Sequence, residues 1–382
     1  MRIGIVAGEA SGDILGASLL QSLKQHIPDL QIEGIGGPRM MAEGCQSLFA
    51  MENLSVMGLV EVLGRLPKLL SIRRQLIRHF IDNPPDVFIG VDAPDFNLGL
   101  EKALKAAGIR TVHFVSPSVW AWRQYRVRKI VKSTDLMLTL FPFEAAFYRK
   151  YRMPVKYVGH PLADEIPLAT DKQHARAQLS LPPDARMVAV LPGSRGSELK
   201  YLADVFIKTM LLCQERAPEL HFVVPLVNPR MRGLFEQALL HNHAVKNLRL
   251  VDGLSHQVMA AADVVLLASG TAALECMLLK RPMVVSAKVS PLSAWILRRL
   301  IKVPYVSLPN NLAGEMLVEE YLQERATPEN LAVAVERLLQ RPADAQRMID
   351  RFDEIHRALR CNAGEQAARA VLALVRDKKD AG

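Results

Sequence analysis

Residues 187–198 read MVAVLPGSRGSE, an apolar run followed by a turn of small residues and the start of a helix-like pattern. Residues 264–275 repeat this arrangement with the letters VVLLASGTAALE. A strand, a tight turn and a helix form the repeating unit of a parallel sheet, and the turn places backbone N–H groups at a helix N-terminus. Phosphate oxygens accept hydrogen bonds from such groups. Two of these turns in one half of the chain therefore predict a nucleotide-diphosphate site.

The two turns supply the residues of the predicted diphosphate site. These residues are Gly193, Ser194, Arg195, Ser269, Gly270, Thr271 and Glu275. Glu275 lies one helical turn beyond Thr271, where its carboxylate suits a neutral hydroxyl such as that of a ribose. Small-residue turns also occur throughout α/β proteins because the turn is tight, and a purely structural role is the alternative. The arginine inside one turn and the glutamate behind the other favour the binding site.

The rest of the chain alternates apolar strands with amphipathic helices, which predicts an α/β protein with parallel sheets and crossover helices. We predict strands at 3–6, 32–35, 87–91, 111–115, 136–140 and 155–158, and then at 188–191, 222–225, 248–251, 264–267 and 283–285. Residues 161–183 break the rhythm with polar residues and prolines, and we interpret them as a linker.

Two similar doubly wound domains that face a cleft are the simplest architecture for this pattern. The first domain is expected at residues 1–165 and the second at 166–342. Only helical patterns follow, and we expect residues 343–382 to cross back to the first domain or to pack on a second copy of the chain. Ligands of open α/β sheets sit at the carboxyl ends of the strands, so the two turns should face the cleft.

The composition is that of a globular protein large enough for two domains. The chain has 382 residues, of which 50% are hydrophobic and 23% are charged, and its formal net charge is +9. This charge suits an anionic partner, namely nucleic acid, a membrane or a phosphorylated substrate. Four scattered cysteines suggest free thiols in a reducing compartment and no metal site. We expect neither a transmembrane helix nor a cleavable signal sequence.

The first strand leads into residues 7–13, AGEASGD, a turn that carries glycines but lacks the dinucleotide pattern GxGxxG. A glutamate in this turn would repel a phosphate. We therefore expect Gly8, Glu9 and Ser11 to face hydroxyl or amide groups of a ligand. Capping of the next helix by Ser11 or Asp13 is the alternative role.

A candidate general base follows the very apolar strand at 87–91, in the stretch GVDAPDFN. Asp92 stands at the carboxyl end of this strand, where a cleft residue would lie, and we assign it the catalytic role. Asp95 competes for that role, but its position suits an N-cap of the next helix.

Residues 115–123 read VSPSVWAWR and lead into a basic run. The run contains Arg126, Arg128, Lys129 and Lys132. Core tryptophans beside a solvated helix face are one interpretation, and alternating aromatic and basic residues that bind RNA are another. We favour the first, because the run is short and the chain lacks a recognised nucleic-acid module.

Residues 54–74 combine a wide apolar face with charges that are almost all basic, which is typical of a helix in a membrane interface. Pro67 is expected to divide the segment into two short helices. The residues expected to face lipid are Val60, Val62, Leu63, Arg65, Leu66, Lys68, Leu69 and Leu70. A core helix packed on the sheet is the alternative. Residues 295–302, WILRRLIK, have the same character.

Six stretches, in order along essentially the whole chain, resemble the lipid A disaccharide synthase family, glycosyltransferases with two Rossmann-like domains (GT-B fold). They are residues 7–13, 92–97, 116–123, 191–195, 269–275 and 305–310. The resemblance implies that Asp92 is the base, that Glu275 binds the nucleotide, and that Arg195 and Asn310 also belong to the active site. It places Gly8, Glu9, Ser11 and Ser116 on the acceptor side. Asn311 and the stretch 286–288 depart from the family pattern.

The resemblance implies transfer of 2,3-diacylglucosamine from UDP-2,3-diacylglucosamine to 2,3-diacylglucosamine 1-phosphate, with inversion and release of UDP. We expect no metal and no cofactor, because Arg195 and two helix N-termini can meet the charge of the diphosphate and the chain has no DxD motif. The expected partners are the two lipid-linked sugars and the inner-membrane surface, with no nucleic acid. The chain is therefore expected in the cytoplasm of a Gram-negative bacterium, peripherally bound to the cytoplasmic face of the inner membrane, and a homodimer is compatible with this role.

Two other functions are compatible with parts of the sequence. A UDP-sugar 2-epimerase would share the two-domain fold and the nucleotide turns, but it would have no use for a basic and apolar surface. A non-catalytic, nucleotide-gated protein that binds membrane or RNA would use the net charge and the stretch from Trp120 to Lys132. Replacement of Asp92 by asparagine separates a transferase from a binding protein, since the binding protein would keep its function and the transferase would not.

Overall fold

The computed structural model describes residues 1–54 and 59–379, without the side chains of residues 59–65 and 377–379. The chain forms two compact units. The first unit comprises Met1–Asp164 and Leu359–Gly382, and the second comprises Glu165–Ala358. Each unit is built around its own parallel sheet with helices on both faces, as the alternating pattern predicts.

The sheet of the first unit has the strand order β3-β2-β1-β4-β5-β6-β7 in the described part of the chain. Its strands are β1 (Arg2–Ala7), β2 (Gln31–Ile35), β3 (Cys45–Ser47), β4 (Val87–Val91), β5 (Arg110–Phe114), β6 (Leu136–Thr139) and β7 (Val155–Tyr157). The order reverses between β1 and β4, which pair in parallel with Ala7 beside Val91. Ligands bind at such reversal points, and the turn after β1 and the turn after β4 both start there.

The sheet of the second unit has the order β10-β9-β8-β11-β12-β13. Its strands are β8 (Met187–Leu191), β9 (His221–Leu226), β10 (Leu248–Asp252), β11 (Val264–Ala268), β12 (Met283–Ala287) and β13 (Glu319–Leu322). Here the order reverses between β8 and β11, which pair Leu191 with Leu267. Both predicted diphosphate turns therefore begin at the reversal point of this sheet.

The helices cover both faces of the two sheets. In the first unit and its boundaries they are α1 (Ala10–His26), α2 (Pro38–Ala42), α3 (Leu59–Asp82), α4 (Pro94–Ala106), α5 (Val127–Ser133), α6 (Pro142–Arg149) and α7 (Pro161–Glu165). The following helices are α8 (Lys172–Gln178), α9 (Gly196–Arg216), α10 (Pro229–Leu240), α11 (Ser255–Ala261), α12 (Thr271–Leu278), α13 (Pro291–Leu300), α14 (Leu308–Ala313), α15 (Pro328–Gln340), α16 (Pro342–Leu359) and α17 (Ala363–Lys379).

The central strands form because their apolar runs bury side chains on both faces of a covered parallel sheet. All five residues of β4, β8 and β11 are buried. On one face of the first sheet, Phe80 of α3 packs edge-on against Phe88 of β4, with ring centroids 5.5 Å apart. Buried aromatic and aliphatic side chains of this kind supply most of the free energy that holds helix to sheet.

Three features differ from the sequence-based expectations. Pro67 lies inside the continuous helix α3 rather than between two short helices. The proline ring keeps a helical φ. Because Pro67 is exposed, the helix tolerates the lost backbone hydrogen bond and a local bend there. The expected linker at 161–183 contains α7 and α8. The C-terminal helices separate, since α16 belongs almost wholly to the second unit and α17 to the first.

The helix α17 packs on α1 of the first unit. A side chain at Gly364 would meet Ser18 Oγ at 2.5 Å, so the two helices approach closely there. His26 Nε2 lies 3.0 Å from Glu365 Oε1, and the backbone N–H of Ala363 donates to Asp164 Oδ2 at 2.7 Å. The crossing back of the last helix onto the first domain is thus present in the fold.

Candidate active site

The second unit contains a cavity of about 450 Å³ at the carboxyl ends of β8, β9 and β11. It brings together seven residues predicted from the two turns, namely Gly193, Ser194, Arg195, Ser269, Gly270, Thr271 and Glu275. Further lining comes from residues 225–227 at the carboxyl end of β9 and from Gly253 and Ser255 at the start of α11. The turns therefore converge on one cavity of a size that suits a nucleotide.

The turn between β8 and α9 is occupied by a carboxylate of its own helix. Glu198 Oε2 accepts hydrogen bonds from the backbone N–H groups of Ser194 at 2.9 Å and Arg195 at 3.2 Å. Gly193 has φ +117°, and a Cβ there would lie 2.4 Å from Glu198 Oε2, so only glycine leaves room for this arrangement. The expectation that this turn offers free N–H groups is therefore wrong for these two residues, because the Glu198 carboxylate accepts from both of them.

The Arg195 side chain is the cationic group that this turn presents to the cavity. It is 74% exposed, and its Nη1 lies 3.6 Å from Glu198 Oε1, a loose contact with the capping carboxylate. An exposed guanidinium on a short turn can reach two oxygens of a diphosphate at once. The first turn thus offers a side chain rather than its backbone.

The turn between β11 and α12 offers the helix N-terminus. Ser269 donates its N–H to Ser286 of the neighbouring strand at 2.8 Å, which fixes the end of β11. The helix then starts at Thr271, and the N–H groups of Thr271 and Ala272 belong to its first turn, where no preceding helical carbonyl can accept them. These groups and the positive end of the helix dipole are suited to an anion.

Glu275 is held by a histidine that the sequence analysis did not find. His256 Nε2, on α11, lies 3.0 Å from Glu275 Oε2. The hydrogen bond that His256 donates to Glu275 raises the pKa of His256 above its ordinary value, and burial opposes this effect. The pair fixes one carboxylate oxygen before any ligand arrives. No local pattern announces the contact, because it joins two different helices.

Replacing Glu275 by glutamine is expected to lower the pKa of His256 towards its usual 6.5, since the partner loses its charge. A raised folded-state pKa means that the stabilisation by the pair is fully present below the unfolded pKa and is lost as the pH rises through the folded pKa. The measurement is the titration of the His256 ring by NMR. Glu236→Gln, on α10, is the matched control and should leave the titration unchanged; an unchanged pKa in Glu275→Gln would contradict the pairing.

Asn310 has a structural role outside the cavity. Its side chain is fully buried, and its amide nitrogen donates to Val318 O at 2.9 Å and to Glu320 Oε1 at 2.8 Å. Its amide oxygen accepts from the N–H groups of Leu317 at 2.9 Å and Val318 at 2.8 Å. The side chain therefore ties α14 to the segment before β13, and it is not among the residues that line the cavity at the carboxyl ends of β8, β9 and β11.

Asp92 follows β4 in the first unit and adopts a left-handed backbone conformation, with φ +51°. Its N–H donates to Phe114 O, and its carbonyl accepts from Asn97 Nδ2, both at 2.8 Å. The half-buried residue lines a cavity of about 310 Å³ together with Ser116, Trp122, Arg123 and Arg126. Strained backbone held by such hydrogen bonds is common at functional sites, which suits the predicted role of Asp92.

Asp95 is not the N-cap that the sequence analysis assigned. The helix α4 starts at Pro94, so the N-cap position falls on Ala93. The Asp95 side chain is 89% exposed and forms an ion pair with Arg126 at 2.6 Å. Proline prefers the first helical position, and the helix therefore starts two residues before the expected point.

The turn after β1 lies against the Asp92 turn. A Cβ at Gly8 would lie 2.7 Å from Ala93 Cβ, so this buried glycine permits the close approach. Glu9 and Ser11 are exposed at the start of α1, and neither caps it with its side chain. Asp13 instead accepts three backbone N–H groups at the start of α2, from Gly37, Arg39 and Met40.

Ser116 is buried at the back of the Asp92 cavity, where its hydroxyl lies 3.0 Å from the Tyr148 hydroxyl. Trp120 donates to Glu144 Oε1 at 3.1 Å, and burial raises the pKa of this carboxyl to about 8. Trp122 lies at the cavity under the Arg123 guanidinium, 4.3 Å from the ring centroid. Trp120 therefore has a structural role, as expected for a core tryptophan, whereas Trp122 lies at the cavity.

The expected lipid-facing residues fall on α3, and several of them, Val60, Val62, Leu63 and Arg65, have side chains outside the described residues. Leu66 is 42% exposed and Lys68 is exposed, while Leu69 and Leu70 are half-buried. Further along, Ile72, Leu76 and Phe80 are core. The helix is thus amphipathic, with its C-terminal part anchored in the first unit.

The segment 295–302 shows the same character on α13. Trp295 is 57% and Ile296 42% exposed, and the Arg299 guanidinium stacks 3.6 Å above the Trp295 ring. In residues 1–54 and 59–379, no helix is both long and apolar enough to cross a membrane. Among the same residues, histidine, cysteine and acidic side chains do not gather into a group of three that would hold a metal ion. In this part of the chain the cysteines form no disulfide bond with one another.

Solved structures show where else this fold occurs. The UDP-GlcNAc 2-epimerase from Neisseria meningitidis bound to UDP-GlcNAc aligns with a TM-score of 0.60 and 14% identity, over 99% of this chain and 100% of that one. The calicheamicin glycosyltransferase aligns with a TM-score of 0.60 and 14% identity, over 98% of each chain. At this level of identity the likeness shows the fold alone, and the fold does not separate transferases from epimerases.

Sequence relatives separate the two. The lipid-A-disaccharide synthase of Vibrio vulnificus is 56% identical over 375 residues, and that of Photobacterium profundum is 54% identical over 375 residues; each alignment covers 98% of both chains. A model of the family described as Lipid-A-disaccharide synthetase matches residues 3–371. The chain is therefore a glycosyltransferase that belongs to the lipid-A-disaccharide synthase family.

Proposed function

We propose that the chain transfers 2,3-diacylglucosamine from UDP-2,3-diacylglucosamine to the 6-hydroxyl of 2,3-diacylglucosamine 1-phosphate. The observation that carries this proposal is the convergence of two strand-to-helix turns and Glu275 on one cavity of nucleotide size. The family membership supplies the type of donor and acceptor. The diphosphate would lie between Arg195 and the α12 N-terminus, and the ribose beside Glu275.

The chemistry is an in-line displacement with inversion at the anomeric carbon. The acceptor hydroxyl oxygen forms the new bond to C1 of the donor sugar while the bond from C1 to the β-phosphate oxygen breaks. Asp92 takes the hydroxyl proton, and the electron pair of the broken bond leaves on UDP. Arg195 and the α12 N-terminus stabilise the charge that develops on the diphosphate.

This arrangement needs no metal ion in the proposed mechanism. The charge of the leaving diphosphate is met by a guanidinium and by helix N–H groups, the interactions by which proteins bind phosphates directly. The sequence also lacks a DxD motif, the acidic pair that would hold a metal on a nucleotide diphosphate. In the proposed mechanism, protein groups alone therefore stabilise the negative charge that a metal ion would otherwise meet.

The test is to mix purified protein with both substrates in detergent and to follow UDP and disaccharide by mass spectrometry. We expect equal amounts of the two products, dependent on acceptor and unchanged by EDTA. UDP without disaccharide would indicate hydrolysis or epimerase-like chemistry instead. Loss of turnover in EDTA that Mg²⁺ restores would overturn the metal-independent mechanism while leaving the transferase proposal intact.

We further propose that the protein works while docked peripherally on the cytoplasmic face of the inner membrane of a Gram-negative bacterium. Each acyl methylene removed from lipid costs about 0.8 kcal/mol, so diacylated sugars stay in the bilayer. Leu66 and Lys68 of α3 are exposed, and an apolar side chain beside a cation supports contact with such a surface. The sugar heads then enter the site while the chains remain in lipid.

A further inference from the structure

A second cavity of the first unit lies outside the Asp92 site. It has a volume of about 300 Å³ and is lined by Lys102, Tyr125, Arg128, Lys129 and Lys132. Lys102 belongs to α4, Tyr125 to the short turn that precedes α5, and the other three cations to α5. All five side chains are exposed. Four cations around one concave surface repel one another, and an anion bound there removes that repulsion.

The acidic groups around this cavity are engaged by other residues. Asp95 pairs with Arg126 at 2.6 Å, and Asp135 pairs with Lys105 at 3.0 Å. Glu101, on the inner face of α4, is fully buried against His113. Within the described residues the cavity lining contains no carboxylate. Its positive charge is therefore offered to the outside rather than neutralised within the protein.

Tyr125 gives the cavity an amphipathic rim. Its side chain is 73% exposed, the largest exposed aromatic group that the described residues place beside these cations. A tyrosine ring combines an apolar body with a polar hydroxyl, and such rings settle at the level of lipid headgroups. An exposed tyrosine among lysines thus suits the boundary between headgroups and acyl chains.

The cavity lies on the same face of the sheet as α3. Arg73 of α3 reaches the carbonyl of Asp95 on α4 at 3.5 Å, and α5 packs against α4 in turn. The exposed side of α3 adds Leu66, Lys68 and Arg74. One helical layer therefore combines exposed cations with an exposed apolar side chain, the combination that binds an anionic bilayer.

We propose that the cavity formed by these five residues (the basic cavity) binds the phosphate-bearing headgroup of an anionic phospholipid and so holds the first unit on a bilayer. The inference rests on the proposed function in that lipid-linked substrates have to be met at a membrane. It adds a headgroup site on α4 and α5, apart from the apolar face of α3 and from both substrate cavities.

The test compares two triple variants of the full chain by flotation with vesicles. Lys102→Gln, Lys129→Gln and Lys132→Gln remove three charges from the basic cavity. Lys200→Gln, Lys246→Gln and Arg341→Gln remove three exposed charges from the second unit. Vesicles contain phosphatidylcholine alone or with phosphatidylglycerol. Each basic residue near an anionic surface strengthens binding by a similar amount, and the three replacements add up. We therefore expect the first variant to lose affinity for the mixed vesicles by a factor on the order of 100.

The control variant should keep its affinity, and neither variant should change binding to phosphatidylcholine. Equal losses in the two triple variants would overturn the proposal, because net charge alone would explain them. Competition by inorganic phosphate as strong as by phosphatidylglycerol vesicles would also overturn it and indicate a soluble phosphate site, and tighter binding of single-stranded RNA would indicate the nucleic-acid alternative.

Turnover with detergent-dispersed substrates separates this proposal from the proposed function. The basic cavity shares no lining residue with the Asp92 cavity or with the cavity of the second unit, so the first variant should keep its turnover in detergent. If no variant shows transferase activity while flotation still depends on the basic cavity, the proposed function fails and the lipid site stands. If the chain shows transferase activity while the first variant floats like the unmodified protein, the lipid site fails and the proposed function stands.

Discussion

Asp92→Asn is expected to reduce turnover by a factor of about 10²–10⁴, the usual contribution of a positioned general base. Asparagine keeps the size of the side chain but cannot accept the hydroxyl proton. The backbone contacts of Asp92 with Phe114 and Asn97 use main-chain groups, so the turn should keep its conformation. Turnover is measured with saturating donor and acceptor, and UDP affinity by calorimetry; the affinity should not change, since the nucleotide cavity lies in the second unit.

The matched control is Asp95→Asn, three residues further on. Asp95 is exposed and paired with Arg126, so its loss should change turnover by less than the loss of the base. A larger effect at Asp95 than at Asp92 would reverse the assignment of the two carboxylates. Equal activity of Asp92→Asn and the unmodified protein would remove Asp92 from the mechanism altogether.

Arg195→Ala is expected to lower kcat by a factor of about 10²–10³, by analogy with the loss of one donor to a developing oxyanion. The charge on the diphosphate grows as the sugar leaves, so the guanidinium contributes more to the transition state than to donor binding. KM for the donor should therefore rise less than kcat falls. The measurement is steady-state kinetics with both substrates varied.

The fold should tolerate this change, because the Arg195 side chain is mostly exposed and the acid that it contacts among the described residues, Glu198 in the first turn of α9, lies at 3.6 Å. Its thermal transition should stay close to that of the unmodified protein. Arg230→Ala, another exposed arginine of the second unit, is the control and should keep its kcat. A rise in KM with unchanged kcat would show that Arg195 binds the ground state alone.

The central strands and the edge strands β7 and β10 were predictable from the sequence, but the edge strands β3 and β13 were not. Each predicted apolar run corresponds to a strand whose ends differ from the prediction by at most two residues. The central runs are β-branched and aliphatic, and such runs need burial on both faces. The strand β3 (Cys45–Ser47) has three residues, and β13 (Glu319–Leu322) has two acids at a half-buried edge. Neither carries the apolar pattern on which the predictions depend.

In the candidate site, the sequence predicted the turns but not the groups that hold them. A turn after a strand is a local feature, so Gly193 and Gly270 could be assigned from their neighbours. The hydrogen bond from His256 to Glu275 joins residues from separate helices. The same holds for Asn310, whose four hydrogen bonds depend on how the loop before β13 folds back. Non-local contacts of this kind need the three-dimensional structure.

The return of α17 to α1 makes the first unit discontinuous in sequence. His26 and Glu365, which meet at 3.0 Å, lie on either side of the whole second unit. During synthesis the outer face of α1 emerges long before the helix that covers it, and closing such a long loop slows folding. The second unit can fold as soon as it leaves the ribosome, whereas the first has to wait for the last residues. The first unit is thus completed only when α17 has been translated, and a product terminated before α17 would leave the outer face of α1 uncovered.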